Sequence, residues 1–96
     1  MSTTSLTADR IRQHLETARH QIAQGQLKEA AATLNEAQRI QPDDARVFML
    51  AGLMAEKSGN LKKAFEALRT SVAMAPQWGP GMLELALLLA RQNQFQ

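Results

Sequence analysis

Gly25-Gln26-Leu27-Lys28-Glu29-Ala30 recurs 34 residues later as Gly59-Asn60-Leu61-Lys62-Lys63-Ala64. The same shift relates further pairs downstream: Leu34 and Leu68, Ala37 and Ser71, Ile40 and Met74, Pro42 and Pro76. A period between about 20 and 50 residues is typical of stacked supersecondary units, none of which can bury its apolar face alone. The sequence therefore predicts a repeat architecture.

The segment between residues 27 and 40 has the apolar spacing of an amphipathic helix. Its apolar or small residues recur at intervals of three and four: Leu27, Ala30, Ala31, Leu34, Ala37 and Ile40. Gly25 and Gly59 fall where a preceding helix must end and the chain reverse, a place that favours positive φ. Pro42 and Pro76 end the second helices, because proline lacks the amide proton that would continue a helix. The unit is therefore predicted to be a pair of helices.

These positions resemble the tetratricopeptide repeat family, in which each unit is a pair of antiparallel helices. The signature residues are His14, Ala18, Gly25, Ala30, Leu34, Ala37 and Pro42 in unit one, and Phe48, Gly52, Gly59, Ala64, Leu68, Ser71 and Pro76 in unit two. The chain departs from the family at His14, where a large apolar residue is usual, and at Gln21 and Ala55, where an aromatic is usual. The resemblance implies an all-α fold, an α-solenoid of antiparallel helix pairs with about five helices.

The repeat register divides the chain into segments. We expect a disordered N-terminal tail over residues 1–7 and a helical repeat domain over residues 8–96. Repeat one spans residues 11–44, repeat two spans residues 45–78, and a partial repeat three, residues 79–96, supplies only a first helix. Residues 93–96 align with the turn at residues 59–62, so the chain is expected to be an amino-terminal piece of a longer protein.

Composition and charge argue against several classes of partner. The formal net charge is +2, and the eleven basic residues are scattered among nine acidic ones, so no nucleic acid is expected as a partner. The apolar run at residues 82–90 is far shorter than the roughly 20 residues that cross a bilayer, so no membrane is expected either. The chain has no cysteine, and its polar start lacks the apolar core of a signal peptide. Both features favour a cytoplasmic location.

No residue pattern predicts catalysis, a metal or a cofactor. His14 and His20 are six residues apart and therefore lie on different helix faces, and neither has a carboxylate or cysteine arranged as a partner. Asp43 and Asp44 are interpreted as the cap of the following helix. We therefore expect a noncatalytic domain with no catalytic, metal-binding or cofactor-binding residues.

In this family the first helix of each unit lines a concave side, and the resemblance implies a binding groove there. The predicted groove residues are Arg12, Leu15, Arg19, Arg46, Met49, Leu53, Leu83, Leu87 and Arg91. Some family members bind a peptide carboxylate on this surface with lysine and asparagine, but leucine and methionine stand at these positions here. An apolar groove with arginines at its edges predicts that the partner is a protein or peptide, bound as a helix or extended segment.

The last predicted helix is apolar nearly all round between Met82 and Ala90. Such a helix is expected to be covered on most of its sides, and no second helix comes after it in the sequence. We therefore predict a homo-oligomer, a homodimer or larger, that forms through Leu85, Leu88 and Leu89.

Two functions stay open on the sequence alone. The favoured one is a noncatalytic protein–protein interaction module or scaffold that binds a peptide, a helix or a neighbouring domain in the groove. The alternative is the regulatory or substrate-recruiting N-terminal region of a larger enzyme, such as a glycosyltransferase or methyltransferase, with its active site beyond residue 96. Repeat architecture does not separate the two, because a fold does not fix a function.

Overall fold

The computed structural model describes residues 3–93 as a stack of helices with no strand. The helices are α1 (Thr3–Ala23), α2 (Leu27–Ile40), α3 (Ala45–Lys57), α4 (Leu61–Met74) and α5 (Gly79–Asn93). α1 pairs with α2, and α3 pairs with α4. α3 also packs against α1 and α2, and α5 packs against α3 and α4. This arrangement confirms the all-α helical repeat and gives an elongated domain of 53 × 30 × 16 Å.

α1 is the longest helix, with 21 residues, and it begins at Thr3. Residues 3–7 of the expected disordered tail are therefore helical. Met1 and Ser2 lie outside the described residues, as do residues 94–96 of the predicted third repeat. The first turns of α1 carry few apolar residues, and Leu6 is exposed, so periodicity did not mark the start of the helix. A helix that packing has already nucleated can extend over polar residues, because each added residue gains one backbone hydrogen bond.

The first helices of units one and two end in the same turn. Gly25 and Gly59 have φ values of +77° and +84°. The backbone N–H of Gln26 donates to the carbonyl of Gln21 at 2.8 Å, and the equivalent bond in unit two is 2.9 Å. This bond pattern is a Schellman motif, which requires a left-handed residue and favours glycine. The two glycines thus reverse the chain where the sequence predicted it.

Asp44 begins α3 as its N-cap, as the sequence predicted. Its carboxylate accepts a hydrogen bond from the backbone N–H of Arg46 at 2.9 Å and two from the Arg46 guanidinium, at 2.7 and 3.0 Å. Burial acts to raise the pKa of the Asp44 carboxyl, but the hydrogen bonds and positive charge of Arg46 outweigh burial and lower this pKa below its ordinary value. Asp44 is therefore ionised at neutral pH and stabilises the start of α3.

Small residues let the two helices of a unit approach closely. Ala18 on α1 is fully buried, and Gly52 occupies the equivalent position on α3. A Cβ atom added at Gly52 would lie 2.7 Å from Cγ of Leu68 and 3.3 Å from the carbonyl oxygen of Ala64. α4 therefore lies so close to α3 that only a hydrogen fits at residue 52 without rearrangement.

Candidate interaction surface

The first helices of units one and two enclose an apolar cleft, here called the α1–α3 cleft. It has a volume of about 260 Å³, and it is lined by Arg19, Ile22 and Ala23 of α1 and by Leu50, Leu53, Glu56 and Lys57 of α3. Ile22 and Leu50 are buried in its floor, and Leu53 is half-buried. This volume is large enough to hold one apolar side chain of a partner but too small for most drug-sized ligands.

Positive charge predominates at the rim of the α1–α3 cleft. Glu56 accepts two hydrogen bonds from the guanidinium of Arg91 on α5, at 2.6 and 2.7 Å, which neutralise its charge. These bonds raise the pKa of Arg91 above its ordinary value. Arg19 and Lys57 are both exposed, and neither forms an ion pair within residues 3–93. Among the described residues, the rim therefore presents two cations with no acidic partner.

Three of the predicted groove residues lie at the α1–α3 cleft. Arg19 and Leu53 line it, and Arg91 lies at its edge through the ion pair with Glu56. The other two predicted arginines are bound by carboxylates near them in sequence. Arg12 pairs with Asp9 at 2.7 Å, and Arg46 pairs with Asp44 at 2.7 Å. Neither of these arginines lines the cleft.

Leu15 and Met49 lie in the core, which corrects their predicted place in the groove. They are 8% and 3% exposed and belong to one continuous hydrophobic cluster. The first helix of a unit packs both against its own second helix and against the first helix of the next unit. A position that the family resemblance assigns to the concave side can therefore be enclosed by the next first helix, and a partner cannot reach these two side chains.

Five residues that line the α1–α3 cleft are not among the nine predicted groove residues: Ile22, Ala23, Leu50, Glu56 and Lys57. Lys57 is exposed at the last position of α3. The repeat register carries a signal for it, since Lys57 lies 34 residues before Arg91, which was predicted. Leu50 has no such signal, because the sequence does not show that its buried side chain closes the floor of the cleft.

α5 presents a wide exposed apolar face, here called the α5 face. Its large side chains and their exposed fractions are Met82 at 48%, Leu83 at 58%, Leu87 at 40% and Leu89 at 47%. Ala86 and Ala90 are exposed between them. Leu83 and Leu87 were predicted for the groove and Leu89 for self-association, and all three are on this face.

Leu88 is fully buried in the core, which corrects its predicted role in self-association. Leu85 is half-buried and packs against the same core. The sequence showed that α5 is apolar nearly all round, but it did not show which side α3 and α4 would cover. The structure places that covered side at Gly81, Leu85 and Leu88.

A second cleft lies between the two helices of unit two and is here called the α3–α4 cleft. It has a volume of about 330 Å³, and it is lined by Phe48, Ala51, Met54, Ala55, Lys63, Glu66, Ala67 and Thr70. In unit one, the positions equivalent to Ala55 and Ala67 are Gln21 and Thr33, whose side chains are joined by a hydrogen bond of 2.8 Å. The cleft therefore arises because unit two has alanine where unit one has longer, paired side chains.

Within residues 3–93, no group of three or more His, Cys, Asp and Glu side chains is placed to hold a metal ion. Over the same residues, no helix combines the length and the hydrophobicity that a membrane span requires.

Two family models match the chain, and both describe the tetratricopeptide repeat. One matches residues 8–54 and the other matches residues 45–77, so that together they cover both helix pairs. No curated protein matches the chain significantly. Repeats of this kind generally mediate protein–protein interaction. The matches agree with the paired helices, the Schellman turns at Gly25 and Gly59 and the register of 34 residues, and the chain belongs to the tetratricopeptide repeat family.

Proposed function

We propose that this domain is a noncatalytic protein-interaction module that binds an apolar peptide or helix with acidic flanking residues in the α1–α3 cleft. The observation that carries the proposal is one cleft with an apolar floor, formed by Ile22, Leu50 and Leu53, and with two cations at its rim. These cations, Arg19 and Lys57, form no ion pair within residues 3–93. The floor favours one large apolar side chain of the partner, and the rim favours carboxylates beside it. The absence of cysteine supports a cytoplasmic location for this interaction.

Charge complementarity should appear as a preference between peptides that differ only in their flanks. Two fluorescent peptides of about a dozen residues, one with a leucine flanked by glutamates and one with the same leucine flanked by lysines, provide the test. We expect the acidic peptide to bind with a Kd on the order of 10–100 μM and the basic peptide to bind at least about tenfold more weakly. The affinity for the acidic peptide should fall as salt is added, because exposed charges are screened.

Charge reversal at the rim should remove this preference. We expect Arg19→Glu and Lys57→Glu each to weaken binding of the acidic peptide about tenfold, which is about 1.4 kcal/mol. Arg69→Glu is the matched control, because Arg69 is also exposed but lies on α4 outside the cleft. Equal binding of the two peptides, or an equal loss in the Arg69→Glu control, would contradict the proposal. A recruiting region of a larger enzyme would use the same cleft, and these variants test that alternative equally.

We also propose that the domain self-associates through the α5 face. The support is the exposure of four large apolar side chains, Met82, Leu83, Leu87 and Leu89, on one helix. Light scattering over a range of concentrations from about 5 to 500 μM measures the mass directly. We expect the mass to rise towards that of a dimer, and Leu83→Glu to keep the mass at that of a monomer.

A further inference from the structure

The α5 face has a ridge on each side and a shallow middle. Ala86 and Ala90 lie along the middle of the face, Met82 and Leu89 form one ridge, and Leu83 and Leu87 form the other, as the 100° step per residue of a helix requires. A row of alanines between two apolar ridges allows a second helix to approach closely and to contact both ridges. The face is therefore shaped to receive a helix.

The repeat register identifies the face as the site that a second helix occupies in units one and two. Ala86 is the third-unit equivalent of Ala18 and Gly52, both of which are buried. At Gly52 the covering residue is Leu68 of α4, whose Cγ lies 2.7 Å from where a Cβ would stand. Ala86 is exposed. The occupant should therefore be an apolar helix that runs antiparallel to α5, as α2 does to α1 and α4 does to α3.

α5 itself meets this requirement, because the centres of its two ridges lie within half a residue of each other along the helix. Leu83 and Leu87 are equally distant from residue 85, and Met82 and Leu89 are equally distant from the midpoint between residues 85 and 86. In an antiparallel pair with a twofold axis, each side chain faces the residue of the second copy that lies equally far on the other side of that axis. One register therefore places Leu83 against the Leu87 of a second copy, and Met82 against its Leu89, while Ala86 lies almost on the axis.

We infer that the domain forms an isologous dimer in which α5 pairs antiparallel with α5 of a second copy, with the twofold axis beside Ala86. This inference rests on the self-association proposed above and specifies its register. Stable interfaces typically bury about 800 Å² per partner, and one helix face supplies less. The dimer is therefore weak, with a Kd on the order of 10 μM. In each protomer the partner helix takes the place beside α5 that α4 takes beside α3.

The chain has no cysteine, so that single cysteines can test the register in the full 96-residue protein. Ala86→Cys brings the two thiols together at the axis, within the distance of about 7 Å between Cα atoms that a disulfide needs. Ala90→Cys is the matched control, because Ala90 is exposed on the same face. In the inferred register its two copies stand about 13 Å apart along the helix axis, at about 1.5 Å per residue. Circular dichroism spectra and mass under reducing conditions verify that both variants are folded and still associate.

We expect Ala86→Cys to form disulfide-linked dimers at least about tenfold faster than Ala90→Cys at the same concentration of about 100 μM. A dimeric mass with equal rates for the two variants, or with faster linkage of Ala90→Cys, would overturn the inferred register but leave self-association in place. A monomeric mass up to about 500 μM would overturn both, whereas peptide binding in the α1–α3 cleft would be unaffected.

Discussion

Replacing Gly52 with alanine should destabilise the domain, although alanine is the better helix former. The added Cβ would lie 2.7 Å from Cγ and 3.0 Å from Cδ2 of Leu68, a side chain that is fully buried and cannot move aside freely. Overpacking of this kind costs about 1–3 kcal/mol. The higher helix propensity of alanine returns about 1 kcal/mol. We therefore expect the free energy of unfolding to fall by about 1 kcal/mol.

Truncating Leu68 should reverse the sign of this effect. Leu68→Ala alone should cost about 2–5 kcal/mol, because it leaves a cavity between α3 and α4. In that background an alanine at residue 52 no longer meets the leucine side chain. The contact of 3.3 Å with the carbonyl oxygen of Ala64 remains, but a small shift of α4 relieves it once the leucine side chain is gone. Gly52→Ala should then stabilise the domain by about 0.5–1 kcal/mol through helix propensity. The two effects correspond to a coupling energy of about 1.5–2 kcal/mol between the two positions.

Urea denaturation followed by circular dichroism measures all four members of this cycle, at a protein concentration of about 1 μM, at which the domain is mostly monomeric. Ala18→Gly provides the matched control in unit one, where the same position already holds a methyl group. That change should cost about 1–2 kcal/mol, from lost helix propensity and one lost buried methyl group. If Gly52→Ala stabilises the parent domain, or has the same effect in both backgrounds, the close contact between α3 and α4 does not limit residue 52.

Three further predictions concern a cap, an ion pair and a cleft. The pKa of the Asp44 carboxyl is lower in the folded domain than the ordinary value of 3.8. The contribution of Asp44 to stability is therefore present above about pH 4 and is lost as the pH falls through the pKa of the folded state. Asp44→Asn should reduce this loss in urea midpoints measured between about pH 5 and 2, and an unchanged acid loss would contradict the assignment. Glu56→Gln breaks the ion pair with Arg91, whose side chain is 40% exposed. Because solvent screens this pair, the free energy of unfolding should fall by about 1 kcal/mol or less, and by less still in about 1 M salt. Ala55→Phe should fill the α3–α4 cleft and raise the free energy of unfolding by about 1 kcal/mol. Ala32→Phe, on the exposed surface of α2, should not raise it. An equal effect of the two substitutions in urea denaturation would count against filling of the cleft.

The sequence predicted the helices well because their ends depend on local chemistry. The positive φ of Gly25 and Gly59, the missing amide proton of Pro42 and the carboxylate of Asp44 each act within a few residues of their own position. The start of α1 was missed for the same reason, since no regular apolar period marks the helical residues from Thr3 onward. Local signals therefore predict where helices end, but only where such signals exist.

The interaction surface was harder to predict because exposure depends on neighbours that are distant in sequence. Leu15, Met49 and Leu83 occupy the same register position and have similar apolar side chains, yet they are 8%, 3% and 58% exposed. The first helix of the next unit packs against α1 and against α3, whereas Leu83 lies on the exposed face of α5. The ion pair between Glu56 and Arg91 also joins residues that are distant in sequence, since it crosses from α3 to α5 over 35 positions.

Positions that the repeats share and positions at which they differ should therefore serve different purposes. The small residues Ala18 and Gly52 allow close helix packing in both full units, and the fully buried Leu68 packs between the helices of unit two. A substitution at any of these three positions should lower the stability of the domain, whichever surface binds a partner. At one register position, by contrast, units one and two carry Arg19 and Leu53, and both line the α1–α3 cleft. Because packing does not require the same side chain there, these positions are free to specify a partner. Substitution of the exposed Arg19 should accordingly alter peptide binding while shifting the urea midpoint little. Substitution of Leu53, which is half-buried against the core, should change both, and substitutions at Ala18 and Leu68 should shift the midpoint.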